Sequence, residues 1–282
     1  FNFINVHKYI DLRLVGNYHL KRHVKAVGVF FAMACAATIY THLDTIMLGF
    51  MATDEDVGYY HAAVRIKTIL VSIVTSLGTV LLPRVSYYLE HGKMEEFRRI
   101  TKKALNFVFL FAMPMMLYFI LFAKEGICLF SGTAYTKAIV PMQLIMPTLL
   151  LIGITNILGI QILVPMGREK TVLYSEITGA AADIILNAIL IPGHASAGAA
   201  IGTLAAECAV FIVQYMALRD EVRESFQSVR YSKLLAALAL CSAAWLWVKA
   251  LGLGDFLTLS FSAVLVLGIY GGSMWIWKEE LL

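Results

Sequence analysis

Hydrophobic residues gather along this chain in long runs separated by short polar stretches. The runs lie at about 27–51, 57–83, 104–123, 138–165, 172–192, 196–218, 233–251 and 256–277. Each is near or above the ~20 residues that carry a helix across a bilayer. None shows the apolar/polar alternation of a barrel strand, and hydrocarbon offers no partner for a free backbone group, so the runs are predicted to be helices. The pattern predicts an all-α fold, a polytopic transmembrane helical bundle of about eight spans.

Composition sharpens this. The 282 residues are 60% hydrophobic and 15% charged, with mean hydropathy +0.76, whereas soluble domains run at about 45–50% and 25%. An ordinary soluble enzyme is excluded. The net charge of +4 is too mild to point to nucleic acid; where the basic residues fall is more informative. Lys8, Arg13, Lys21, Arg22 and Lys25 precede the first run, and Arg84, Lys93, Arg98, Arg99, Lys102 and Lys103 follow the second. Arg168 and Lys170 follow the fourth, and Arg219, Arg223, Arg230 and Lys233 the sixth. The alternate loops hold only Lys124, Lys137 and Lys249. By the positive-inside rule both ends are cytoplasmic, and one span more or fewer would break the alternation. Trp245, Trp247, Trp275 and Trp277, near run ends, suit interfacial belts. Cys35, Cys128, Cys208 and Cys241 stand far apart and read as small apolar residues, not as a disulfide or metal set. The chain opens on Phe1 with no signal-peptide pattern, as if cut from a longer protein.

Between Glu90 and Lys103, Phe97, Ile100, Ala104 and Phe107 alternate at helical spacing with Arg98, Arg99, Lys102 and Lys103. This reads either as a short interfacial helix on an anionic leaflet or as a solvated basic loop. His19 and His23 have metal-pair spacing but sit among basic residues with no acidic or Cys ligand nearby, so no metal is expected there.

A charged side chain at a helix centre costs about 2.5–3.5 kcal/mol on insertion scales, so such residues face a bundle interior or a wet cavity. The informative ones are Asp44, Arg65, Lys67, Glu176, Asp183 and Glu207. Asp44 and Arg65 lie at nearly equal depth on a hairpin turning near Asp54, which makes them candidates for an ion pair, functional or merely pinning. On the second run His61, Arg65, Thr68, Ser72, Ser76 and Thr79 form one polar stripe, while Lys67 is about 200° from Arg65 around the helix. Arg65 is therefore expected to face a cavity, and Lys67 to snorkel or bond a neighbouring helix. The fifth run aligns Glu176, Gly179, Asp183 and Asn187, and the sixth aligns Thr203, Glu207 and Gln214. With a turn near His194, Asp183 and Glu207 are expected to approach mid-membrane, as a proton-carrying pair or in separate structural roles. The fourth run is interrupted by Pro141, Pro147, Gly153, Gly159 and Pro165 and carries Thr148, Asn156 and Gln161; such spans bend and open backbone to a cavity, or kink only to pack. Gly198 and Gly202 form a G-x-x-x-G expected to mark a close helix contact. There is no Walker loop, G-x-G-x-x-G, H-E-x-x-H or G-x-S-x-G, so no enzyme activity and no cofactor are expected.

The segments HVKAVGVFF (23–31), IYTHLDTIMLGF (39–50), VGYYHAAVRIKTILVSIVTSLGTVLLPRVSYYLEHG (57–92), SGTAY (131–135) and TGAAADIILNAILIPGHASAGAAIGTLAAE (178–207) resemble the polysaccharide transporter family. This family comprises the O-antigen and repeat-unit flippases of the multidrug/oligosaccharidyl-lipid/polysaccharide superfamily, which is MATE-like. The resemblance implies six-helix lobes around a central cavity and alternating access that turns an undecaprenyl-pyrophosphate-linked oligosaccharide from the inner to the outer leaflet of a bacterial plasma membrane. It implies that residues 1–26 are a cytoplasmic linker after an N-terminal lobe, 27–218 a six-helix C-terminal lobe, and 219–282 two additional helices. Asp183 departs from the family pattern, which more often has Asn there. An anionic, hydroxyl-rich headgroup needs a cation and hydrogen-bonding side chains, for which Arg65, Asn156, Gln161, Asn187 and Thr203 are the candidates. Asp44 is expected to partner Arg65 in an empty cavity, and Asp183 with Glu207 to couple to protons or sodium. The expected partners are the bilayer, a lipid-linked oligosaccharide and a coupling ion, with no nucleic acid. A drug/cation antiporter and a peptidoglycan-precursor flippase of the same superfamily are the rival readings; the antiporter would want an acidic, aromatic cavity without His61 and Arg65.

Overall fold

A computed structural model describes residues 21–276. The expectations for Lys8, Arg13, His19 and Trp277, and for the side chain of His23, lie outside the described residues.

Helix α1 (Lys21–Met51) turns sharply into α2 (Asp54–Glu90). Thr53 caps the second helix: its Oγ1 accepts from Asp56 N at 3.2 Å, and Asp56 Oδ2 accepts from Thr53 N at 3.3 Å. Asp54, Glu55 and Asp56 also oppose the positive end of the helix, so the sharp turn is written locally. A single helix, α3 (Met94–Leu121), covers the basic amphipathic segment and the following span together. Phe97, Thr101 and Ala104 are buried while Arg98, Arg99, Lys102 and Lys103 are exposed. The amphipathic face is thus real, but it is not a separate helix, because nothing between Phe97 and Met113 breaks the backbone ladder.

The fourth run is as irregular as its prolines predict. After α4 (Ala123–Ser131) come a 3₁₀ turn (Thr133–Ala138), α5 (Ile139–Ile145), α6 (Thr148–Thr155) and a π-helical stretch (Asn156–Leu163). The break at Pro147, which has no N–H to give, bends the span by 44°. Next comes α7 (Glu169–Ala217), 49 residues long with one non-helical residue, Ala195, at φ 47° and ψ −125°. The close pairs Ser175–Gln214, Gly179–Val210 and Asn187–Gly202 are each equidistant from the His194–Ala195 bond, so α7 is a hairpin of two antiparallel arms. Short α8 (Arg219–Gln227) packs on α3, and α9 (Tyr231–Ala250) pairs with α10 (Asp255–Ile276).

Six of these helices are long and apolar enough to cross a membrane, and the bent pair makes a seventh. Counting α7 as two arms accounts for every predicted run, and the chain is a multi-pass membrane protein. One large core joins α1 through α10, built on residues such as Leu48, Phe97, Leu105, Met142, Leu158 and Leu163. A second cluster, Phe122, Val248 and Leu259, seats the α9–α10 hairpin on α3 and α4. Ile184, Ile185, Ile189, Val264 and Leu267 are exposed, as side chains facing lipid should be.

Candidate functional site

Three elements converge inside the bundle. Helix α1 brings Asp44, which is buried. Helix α2 brings Tyr60, Val64, Lys67 and Val71, which share one face at three- and four-residue steps. The arms of α7 bring Asp183 and Asn187 on one side and Thr203 and Glu207 on the other, each pair one helical turn apart. They frame a cavity of about 350 Å³ that reaches Glu176, Gln214 and the π-helical Asn156.

Asp44 anchors the site. The hydroxyls of Tyr60 and Thr203 reach its Oδ2 at 2.5 and 2.9 Å, and Asn187 Nδ2 donates to Oδ1 at 2.6 Å. Tyr60 and Thr203 are also 2.8 Å apart. All of these donors are neutral. Asp183, fully buried, neighbours Asp44 and Asn187, with Glu207 also within electrostatic reach. Adjacent carboxyl groups cannot both stay charged at low cost in a poorly polarisable interior unless a proton or cation joins them.

The close approach of the α7 arms is what makes this cluster possible. A Cβ on Gly202 would lie 2.1 Å from Asn187 Oδ1 and 3.1 Å from Asp183 Oδ1, and one on Gly198 would lie 2.6 Å from the Leu190 carbonyl oxygen. The G-x-x-x-G thus marks the expected close contact, between two arms of one helix.

The candidate residues from the sequence fall into three groups. Asp44, Thr203, Glu207 and Asn156 line the cavity. Asp183 and Asn187 are buried just behind it, around Asp44. Gln161 is buried against Gly78 of α2 with Oε1 unpartnered, away from the cavity lining. Arg65 is a correction: it is exposed and does not line this cavity, and Asp44 pairs with hydroxyl and amide groups instead of with it. The cation of the cavity is Lys67, which the sequence leaves either to snorkel or to bond a neighbouring helix. The angular separation of the two residues is as predicted, but the polar stripe faces away from the bundle. His61, Arg65, Thr68, Ser72 and Ser76 are all exposed, and Thr68 alone of them also lines the cavity. Asp183 also has a carboxyl neighbour that the sequence did not pair with it, Asp44, with Glu207 within electrostatic reach. Tyr60 and Ser175, the latter accepting from Gln214 Nε2 at 3.0 Å, went unnoticed in the sequence. Spacing already placed Tyr60 on the face of Lys67.

The chain resembles known proteins over much of its length. Residues 3–140 match the family described as polysaccharide biosynthesis protein. A putative O-antigen transporter of Escherichia coli K12 is 27% identical over 190 residues, 67% of this chain and 46% of that protein. A probable flippase, AglR, of Haloferax volcanii is 27% identical over 166 residues, 58% of this chain and 35% of that one. The matches therefore span less than half the length of these relatives. Among solved structures, a lipid II flippase, MurJ, in an inward closed conformation superposes with TM-score 0.76 over 99% of this chain and 59% of that chain, at 16% identity. An outward-facing transporter of the multidrug resistance MATE family gives TM-score 0.57 over 87% of this chain and 63% of that one, also at 16% identity. These likenesses establish the fold.

Proposed function

From a chain related to the polysaccharide flippases of the multidrug/oligosaccharidyl-lipid/polysaccharide superfamily, we propose a transporter that turns a lipid-linked oligosaccharide, carried on undecaprenyl pyrophosphate, from the inner to the outer leaflet of a bacterial plasma membrane. Residues 27–218 supply a six-helix lobe and 219–282 two further helices, with both ends cytoplasmic. The observation that carries this reading is the double face of α2. On one side Lys67 looks into a buried acidic cavity; on the other, His61, Arg65, Ser72 and Ser76 are exposed along a helix that spans the bilayer. Hydrocarbon is a costly neighbour for such a stripe, so it belongs against water or a passing polar headgroup.

The two faces divide the work. The acidic cavity repels a pyrophosphate and suits the coupling cation, a proton or sodium, at Asp44 and Asp183 with Glu207 nearby. The stripe, headed by Arg65, guides the anionic headgroup while the lipid tail stays in the bilayer. Thr68, exposed and also lining the cavity, belongs to both faces. Alternating access follows if cation occupancy shifts α2 against the α7 hairpin.

The test is made in the full-length gene. Arg65→Glu should abolish surface polysaccharide while the protein still inserts into the membrane, and Arg65→Lys should retain part of the export. Unchanged export in Arg65→Glu would remove the stripe from the mechanism. The acidic cavity also favours a second reading, a drug/cation antiporter. Export of a cationic drug that is lost in Asp44→Asn, with surface polysaccharide intact in the same variant, would select it.

A further inference from the structure

Glu176 lines the cavity without a task in the reading above. It lies seven residues before Asp183 on the same arm of α7, about 10 Å along the helix axis, too far to join the group around Asp44. Its level is that of the 3.0 Å hydrogen bond between Gln214 and Ser175. Gln214 in turn lies against the π-helical stretch, where a Cβ on Gly159 would come within 3.1 Å of its Nε2. That stretch contributes Asn156, Gly159 and Ile160 to the cavity wall, and π-helical turns occur often at functional sites. The cavity thus has two ends, one at Asp44 and one at Glu176. Hydrogen-bonding capacity is left open toward the second. Thr68 and Thr155 spend their hydroxyls on their own helices, donating to the Val64 carbonyl oxygen at 2.9 Å and the Ile152 carbonyl oxygen at 3.3 Å. Lys67 and Glu176, by contrast, make no hydrogen bond or ion pair with any described residue. Ionisable groups kept within a span without a protein partner mark a watery or ligand-filled space.

We propose that this end of the cavity is a subsite for one sugar ring of the lipid-linked oligosaccharide, held between Lys67 of α2, Glu176 of α7 and Asn156 of the π-helical stretch. This rests on the reading of the chain as an oligosaccharide flippase. The chemistry of the walls selects the ligand. The Lys67 ammonium only donates and the Glu176 carboxylate only accepts; an anion would satisfy the first alone and a cation the second alone. A sugar satisfies both, because each hydroxyl donates and accepts, as the Asn156 amide also does. Its C–H faces suit the aliphatic part of the lining, Val64, Val71, Ile152 and Val172. The volume of about 350 Å³ lies at the small end of the ~300–1,000 Å³ range of small-molecule sites. It is far more than a bare ion needs and too little for a whole oligosaccharide. The acidic cavity that repels a pyrophosphate accepts a neutral ring, so the headgroup divides between the two faces of α2. Sugar and coupling cation then share the walls supplied by α2 and α7, which lets occupancy by one bias the other.

The experiment is cysteine protection in the full-length protein, expressed in its own strain without native cysteines. Ile152→Cys reports on the cavity and Ser72→Cys on the stripe. Labelling by N-ethylmaleimide is compared between cells that make the oligosaccharide and cells lacking the transferase that puts the first sugar on the lipid carrier. Both positions should label at least about fivefold more slowly in the producing cells, the slowing that roughly four-fifths occupancy gives by mass action. Lys67→Met and Glu176→Leu should each bring the slowing at Ile152→Cys below about twofold, as a weakened site does. Slowing at Ser72→Cys alone overturns the sugar subsite and leaves the headgroup route standing; slowing at neither position overturns both. Slowing at Ile152→Cys that survives both Lys67→Met and Glu176→Leu also overturns the subsite, because other groups would then hold the ring. If tetraphenylphosphonium slows Ile152→Cys and the oligosaccharide does not, the cavity serves a cationic drug and the proposal falls.

Discussion

Gly202 is the position where one methyl group would disturb the site most. Its Cβ would meet the side-chain oxygen of Asn187, whose amide donates to Asp44. Gly202→Ala should therefore destabilise the protein by about 1–3 kcal/mol, the usual cost of overpacking, and should abolish the cation response even where the protein still folds. Thermal unfolding with and without sodium measures both. A surviving response would mean that Asn187 does not hold Asp44 in place. Ala195 makes the opposite case. Its φ of 47° and ψ of −125° lie where a Cβ is strained, at a cost of order 1–3 kcal/mol. Ala195→Gly should raise the unfolding temperature by relieving that strain, against a smaller loss from the freer unfolded chain. A fall in unfolding temperature would show that the arm junction relies on the alanine methyl. Residue types and helical phase singled out Asp44, Asp183, Asn187, Thr203 and Glu207 one by one, but did not bring Asp44 to the other four. What they did not reveal is which face of α2 turns inward, because phase gives angles between residues and no absolute direction.

Beyond the core residues it shares with the bundle, the α9–α10 hairpin is tied down by specific polar contacts. Tyr118 donates to the Leu259 carbonyl oxygen at 2.8 Å, and Lys249 Nζ lies 2.5 Å from Glu125 Oε1. Glu125 is buried with its second oxygen unpartnered, while Lys249 remains partly exposed. Removing the lysine strands a buried carboxylate; removing the acid leaves a cation that can reach solvent. Lys249→Met should accordingly destabilise more than Glu125→Gln, and the double substitution should cost less than the sum of the two. Hydrogen exchange in α9 and α10 is the readout, and additive effects would show that the pair is not a clip. At this scale the sequence was most informative where backbone chemistry is local. The turn near Asp54, the proline-broken fourth span and the reversal near His194 are all properties of a few adjacent residues. The pairing of Glu125 with Lys249 brings together residues more than a hundred positions apart, and no local pattern announces it.

For the molecule as a whole, the claim open to test is that one helix face meets water within the membrane. In a background without the four native cysteines, Ser72→Cys and Ser76→Cys should react with a water-soluble maleimide in intact membranes. Ile185→Cys, equally exposed in the bundle but on an apolar surface of α7, should not. If all of them react alike, or only Ile185→Cys reacts, the stripe does not line an aqueous path. The chain's hydropathy alone determined that it is a helical membrane protein with these spans, since twenty apolar residues in oil have one cheap way to satisfy their backbone. The tertiary structure alone decided that Lys67, not Arg65, enters the acidic cavity, and that Asp183 lies beside Asp44. Those outcomes depend on how three helices rotate against one another, and the rotation is set by close packing and long-range electrostatics that no run of neighbouring residues contains.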